Sequence, residues 1–230
     1  MQLYLGSVPR LPLYASDGRA GQIVDVYIDE RTRRLAYLVV ADSAKIENHT
    51  RLVAAKNVDW SSVALGEPHT KLSRAQVYAG ESPEKHPTVS LLHTRQDRSV
   101  SPRTGLWHAL FGAGRRQPLA GIPDREHRDT RTVLGNDTGS PLRSIRELLG
   151  YRVITVTGRA GQLHDLIADS NPGRVFAVVV RRGGWLRRAH ALLPAASVTY
   201  TSWYHKVVLA DFPKEEMVVL RTRSARDRSR

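Results

Sequence analysis

Cysteine is absent from all 230 residues. That one absence excludes disulfides, thiolate metal centres and cysteine nucleophiles together, and it fits a reducing compartment. Long hydrophobic runs are missing too, since none approaches the ~18–20 apolar residues needed to span a bilayer. The segment Met1 to Pro12 lacks a basic region followed by an apolar one, so no secretory signal is expected. The nine histidines show neither HExxH nor His-x-His spacing, and no G-x-S-x-G nucleophile elbow occurs. No catalytic, cofactor-binding or metal-ligating residue is therefore assigned, no cofactor is implied, and the chain is expected not to be an enzyme. The expected location is the cytoplasm, with peripheral attachment to the inner face of the membrane as the alternative.

What is present is a repeat. The letters GRAGQ occur at Gly18–Gln22 and again at Gly158–Gln162, 140 positions apart. Between 18–58 and 158–198, 13 of 41 positions are identical without a gap, among them Asp25/Asp165, Asp29/Asp169, Arg34/Arg174 and Leu52/Leu192. Two copies so far apart do not make a solenoid, whose repeats stack on near neighbours. They imply a duplicated small domain with an insert between the copies. Each copy has length for only a modest core, so packing of the copies together, or a homo-oligomer, would help.

Acidic residues are few against basic ones, 22 against 35, for a net charge of +13. The excess is +2 over residues 1–79, +3 over 80–150 and +8 over 151–230. The tail 221–230 holds five arginines and one aspartate. Such a field favours polyanions without choosing among nucleic acid, ribosome and anionic lipid. Arginine supplies 29 of the basic residues, a bias that genome composition alone also produces.

Along the chain the first copy reads as β. Leu11–Ala15 ends at the turn signal Ser16-Asp17-Gly18, followed by strands at Gln22–Asp29, Leu35–Ala41, Arg51–Ala55 and Ser62–Leu65. The second copy repeats the order at Tyr151–Val156, Gln162–Asp169, Val175–Arg181, Ala189–Leu193, Val198–Ser202 and Lys206–Asp211. After GRAGQ the apolar face is Val24/Val26/Ile28 in one copy but Leu163/Ile167 in the other, and a bulge near the glycines would shift the register. Pro141–Gly150 reads as a short helix with Ser144 and Glu147 at capping-box spacing. The segments Glu81–Thr104 and Arg115–Gly139 are rich in Pro, Ser, Thr, Asp and Arg and read as linker. The predicted fold is all-β: two small antiparallel β-barrels joined by a long linker, with a short helix before the second. The boundaries are 1–79 for the first domain, 80–140 for the linker with an apolar island at 105–114, 141–220 for the second domain, and 221–230 for the tail.

The run Leu13 to Asp25, with Ile28-Asp29 and Leu38-Val39-Val40, resembles the PRC-barrel family. That β-barrel module is shared by the cytoplasmic domain of the photosynthetic reaction-centre H subunit and the ribosome maturation factor RimM. The second copy is similar over Arg143–Tyr151, Gly158–Asp169, Val178–Val180, Trp185-Leu186 and Leu192–Pro194. The resemblance implies a tandem PRC-barrel protein of adaptor type. It departs from the H subunit in having no transmembrane helix, and from RimM in having a second PRC-like copy where that factor has a different barrel. A shared fold does not transfer a function.

Candidate sites follow from what is left. GRAGQ is not a phosphate loop, which needs a strand before it and a helix after it; here a strand follows, and the glycines serve hairpin geometry. The pairs Asp25/Asp29 and Asp165/Asp169 have no histidine or third carboxylate to complete an acid–base or metal site, so backbone capping is expected. The alternating charges of 124–129 read as a solvated segment. Two partner-binding candidates remain. The hairpin holding Arg181, Arg182, Trp185, Arg187 and Arg188 offers four guanidiniums around an aromatic, suited to phosphate contact and base stacking, with capping of the barrel end as the alternative. Trp107 and Phe111, in GLWHALFGAG, offer an apolar element for a partner groove or an anionic membrane surface, or for packing on a barrel. The expected function is a non-enzymatic binding or assembly module that docks a protein or ribonucleoprotein complex through its basic C-terminal half. The alternative is a peripheral membrane adaptor.

Overall fold

Both GRAGQ segments open a long bent strand, and each copy is built around it. The computed structural model describes residues 1–42, 50–92, 141–170, 173–183 and 189–220. The first half contains β1 (Gln2–Tyr4), β2 (Pro12–Ala15), β3 (Gly18–Asp29), β4 (Arg34–Ala41), β5 (Thr50–Ala54), β6 (Val58–Asp59), α1 (Trp60–Ala64), β7 (His69–Thr70) and α2 (Arg74–Tyr78). The second contains β8 (Leu142–Ser144), α3 (Ile145–Leu148), β9 (Arg152–Thr155), β10 (Gly158–Asp169), β11 (Val175–Arg182), β12 (Ala189–Pro194), β13 (Val198–Ser202), β14 (Val207–Ala210) and β15 (Val218–Leu220). Hairpins β2–β3 and β9–β10 turn through two residues, Ser16-Asp17 and Val156-Thr157.

One sheet runs β5-β4-β3-β2-β7-β6, and the other runs β13-β14-β9-β10-β11-β12-β15. The architecture is all-β, as predicted, but each sheet includes one parallel pair, β2 with β7 and β9 with β14.

The copies exchange their leading strands. β1 pairs with β10 of the second copy, Gln2 opposite Asp169 and Tyr4 opposite Ile167. β8 pairs with β3 of the first, Leu142 opposite Asp29 and Ser144 opposite Tyr27. These registers interconvert by a shift of 140 on both sides. At the centre Arg34 bridges Arg174, Leu35 N–H donates to Gly173 O at 2.8 Å, and Val175 N–H donates to Arg33 O at 2.7 Å. The bridge lies on an internal pseudo-two-fold axis.

Bulges settle which face points inward. Against β4 they fall between Ile23 and Asp25 and between Tyr27 and Ile28, and at the equivalent places in β10. In β3 the extra residues are Val24, against β4, and Ala20, against β2, and each reverses the alternation, whereas the irregularity at Tyr27/Ile28 places its extra residue, Ala36, on β4. The inward residues are thus Ala20, Ile23, Val26 and Ile28 in β3 and, by the same pattern, Ala160, Leu163, Leu166 and Ala168 in β10. Neither simple alternation read from the sequence survives: Val24 and Ile167 lie on the outer face. One hydrophobic cluster runs through both copies, with Leu5 and Val8 from the first lead-in and Ile145 and Leu148 from α3.

Three local expectations are corrected. Ser62–Leu65 is not a strand: Ser62 to Ala64 lie in α1, because Asp59 accepts from Ser61 N–H at 3.0 Å as an N-cap and Trp60 and Val63 are buried at i,i+3 spacing. The predicted helix shortens to α3 because Leu142–Ser144 is drawn into the neighbouring sheet. Ser144 caps it by accepting from Glu147 N–H at 3.2 Å, while the Glu147 carboxylate accepts from Tyr151 hydroxyl rather than closing a capping box. The stretch after Gly80 begins as packed chain, with Thr88 and Val89 buried and Leu52 N–H donating to Glu81 O at 2.8 Å. Among the described residues no helix is long and apolar enough to cross a membrane.

Candidate functional site

The repeated aspartates hold the exchanged segments in place. Asp165 accepts from Leu166 N–H and from Gly6 N–H, both at 2.7 Å, the latter across the copies. Asp25 accepts from Val26 N–H at 2.8 Å, from Arg146 N–H at 3.2 Å and from the Ser144 hydroxyl. Gly6 and Arg146 are again 140 apart, so the capping expected from the sequence becomes a reciprocal latch. Among the described residues no group of three metal-ligating side chains forms.

Burial pushes both carboxyl groups above the ordinary 3.8, against the opposing pull of their hydrogen bonds. As pH rises past 3.8, each aspartate ionises first in the unfolded chain, so the folded state holds more protons and these two groups lower stability until their folded pKa is passed. Replacing both with asparagine removes that term. The unfolding free energy of Asp25→Asn/Asp165→Asn, measured by urea titration at several pH values, should gain on wild type as pH rises through this window and then run parallel. A difference independent of pH would refute it.

The surface that distinguishes the copies is the outer face of the second sheet. One row crosses four strands in register: Arg152 on β9, Gln162 on β10, Arg181 on β11 and His190 on β12. Inward neighbours Val153, Leu163, Val180 and Ala191 are buried, so the row faces out. Arg181 Nη2 donates to Gln162 Oε1 at 2.5 Å, which orients one guanidinium. His164 stacks on His190 with centroids 4.4 Å apart. Burial, with smaller electrostatic contributions from the neighbouring His164 and Arg181, pushes His190 below its ordinary 6.5. The equivalent row in the first copy is Pro12, Gln22, Ala41 and Thr50, which carries no charge.

Beside Arg152 the β13–β14 turn presents Trp203-Tyr204-His205-Lys206. Tyr204 is 78 % exposed, its ring edge-on to His205. Lys206 Nζ lies 4.6 Å from the Trp203 ring centroid, and Arg152 Nη2 donates to His205 O at 3.2 Å. The residues 140 positions earlier are Val63, Ala64, Leu65 and Gly66, the end of α1 and the turn that follows it. Gly66 has φ 88°, and Lys206 keeps the left-handed turn with φ 53°. A lysine there costs about 1–2 kcal/mol relative to glycine.

Of the sequence candidates, Arg181 lies in this row, and Arg182 at the end of β11 donates to Lys214 O at 3.5 Å. Trp185, Arg187, Arg188, Trp107 and Phe111 lie outside the described residues. Sequence reading missed Arg152, Gln162, His164, His190 and the Trp203–Lys206 turn. Comparing each with its partner 140 positions earlier would have found them, because each differs in charge or aromaticity except Gln162.

Residues 141–217 match the PRC-barrel domain, covering about a third of the chain. The likeness covers the second copy alone, and the PRC-barrel is a non-catalytic domain family that supports binding or assembly in general. Comparison with curated proteins finds no match to the chain.

Proposed function

We propose that residues 1–79 are a second module of the same kind, and that the resulting tandem protein is an assembly platform whose C-terminal half docks an RNA–protein complex. The observation that carries this reading is the asymmetry of an otherwise symmetric frame. From Tyr204 to His190 the second copy substitutes Arg, Lys, His and aromatic residues at positions that are neutral in the first, and it keeps Lys206 in a backbone conformation glycine would adopt more cheaply. Lys206 is held there by its own neighbours, its Nζ donating to the Tyr151 hydroxyl at 3.1 Å and lying 3.6 Å from Glu147 Oε1. Guanidiniums spaced along a sheet with adjacent exposed rings suit phosphate contacts and base stacking. By sequence, the tail 221–230 and the arginines 187 and 188 add to the positive charge of the C-terminal half.

Binding of a labelled ribosomal RNA fragment, followed by anisotropy over a salt series, tests this. Each phosphate contact contributes about 0.7–0.9 to the slope of log K against log salt. Arg152→Ala/Arg181→Ala should therefore flatten the slope by about 1.5, and Tyr204→Ala should weaken binding at every salt concentration. Binding to anionic vesicles but not RNA, lost on Trp107→Ala and Phe111→Ala, would replace this reading with the membrane adaptor.

A further inference from the structure

A cleft of about 410 Å³ opens where the two copies meet. Leu148, Leu163, Leu166, Val178 and Val208 form its apolar wall. Glu30, Arg31, Arg33, Arg143 and Thr201 form a polar rim, three guanidiniums against one carboxylate. Its volume falls within the ~300–1,000 Å³ of small-molecule sites.

Arg143 is the unusual member. It is 5 % exposed, its Nε donates to Glu30 Oε2 at 2.6 Å and its Nη2 to Thr201 O at 3.0 Å. Its Nη1 is buried and has no partner among the described residues. A buried donor of a charged group left in this state needs an explanation, and an incoming acceptor supplies one. Arg33, whose Nη2 donates to Ala196 O at 3.4 Å, sits at φ 55° where the equivalent residue is Gly173 at φ 71°. A second basic side chain is thus held on the rim against backbone preference.

The first copy is built differently at this place. Leu3 stands at the position of Arg143 and is buried in the core, and Trp60, buried there too, opens helix α1 where the second copy continues as strand β13. The Trp60 indole donates to Ala55 O at 3.0 Å. In the second copy Arg143 and Tyr200 line the opening.

We propose that this cleft binds a medium-chain organic carboxylate, its apolar tail against Leu163, Leu166 and Val178 and its head group on Arg143 and Arg33. The wall belongs to the inner face of the second sheet, opposite the Arg152–His190 row, so this site and the RNA-docking face can each fail without the other. Calorimetric titration of the full chain with decanoate should show saturable one-to-one binding, with decanol at least tenfold weaker. Arg143→Leu should lose decanoate at least tenfold. Because that change also leaves Glu30 unpaired, Tyr200→Trp, which sets a larger ring against the opening, is the second variant: it should lose decanoate while retaining the wild-type melting temperature. Arg181→Ala, on the opposite face, should bind decanoate as wild type does. Equal affinity for decanol, undiminished binding in a folded Tyr200→Trp chain, or no saturable binding by wild type would each overturn the proposal.

Discussion

Expressed without the first copy, residues 141–220 should not yield a folded monomer. β10 would lose β1 as its neighbour, and Asp165 would lose the Gly6 N–H it accepts at 2.7 Å. The shared core would lose Leu3, Leu5 and Val8, all buried. Burying such side chains stabilises by about 1.5–3 kcal/mol each, on the order of 6 kcal/mol for the three. A domain's whole stability is about 5–15 kcal/mol, so the loss alone removes much or all of it. One escape is open: since Gln2 lies opposite Asp169 as Leu142 lies opposite Asp29, β8 of one isolated copy has the register to pair with β10 of another. Light scattering with circular dichroism should therefore report an unfolded chain or a dimer. A folded monomer melting with the full chain would show that the exchange is not needed for folding.

The extent of what could be read in advance follows from where constraint is written in residue identity. Strands β3, β4, β10 and β11 were legible because buried β-branched runs and the glycine hairpins leave few alternatives. The leading strands were not, although they obey the same symmetry: residues 1–17 and 141–157 share no identical pair. Three-residue strands take their conformation from the partner that pairs with them, and that partner lies in the other copy. Ser62–Leu65 was misread because Ser and Val suit a strand as well as a helix, and the deciding contribution is the Asp59 cap.

The site was legible in outline. Charge per segment pointed to the C-terminal half, and Arg181 lies in the basic row. What escaped was the pairing across strands: Arg152, Gln162, Arg181 and His190 are separated by up to 38 positions and become neighbours only through sheet register. Sequence spacing carries no such information. The internal repeat does, since the first copy is a control for what the fold needs. Shared residues, such as Asp25 and Asp165, latch the copies together. Residues that differ against that background, such as Lys206 for Gly66 or Arg143 for Leu3, mark the two surfaces proposed to bind.

Gly161→Ala should be among the most damaging single substitutions outside the core. A Cβ at Gly161 would lie 2.2 Å from Arg181 O and 2.9 Å from Val180 Cγ1, far inside contact distance. The backbone there has φ 153°, and β10 bulges against β9 between Arg159 and Gly161. The neighbouring strand cannot retreat cheaply, because Val180 is fully buried and Arg181 pairs with both Gln162 and His190. Strained backbone costs about 1–3 kcal/mol, and displacement of a central strand adds to it, so a loss on the order of 3–4 kcal/mol is expected. For a cooperative unit of this size each kcal/mol shifts Tm by about 2–4 °C, giving a fall of roughly 6–16 °C. Gly158→Ala is the matched control. It also has positive φ, 106°, but a Cβ there meets only the Lys214 Nζ at 3.7 Å. It should therefore show the backbone cost alone, and Gly161→Ala should melt clearly below it. If the two alanine variants melt together, close approach of the strands is not what the fourth residue of GRAGQ serves. Gly21→Ala should repeat the larger effect, its Cβ meeting Ala41 O at 2.4 Å, because the same bulge recurs in the first copy.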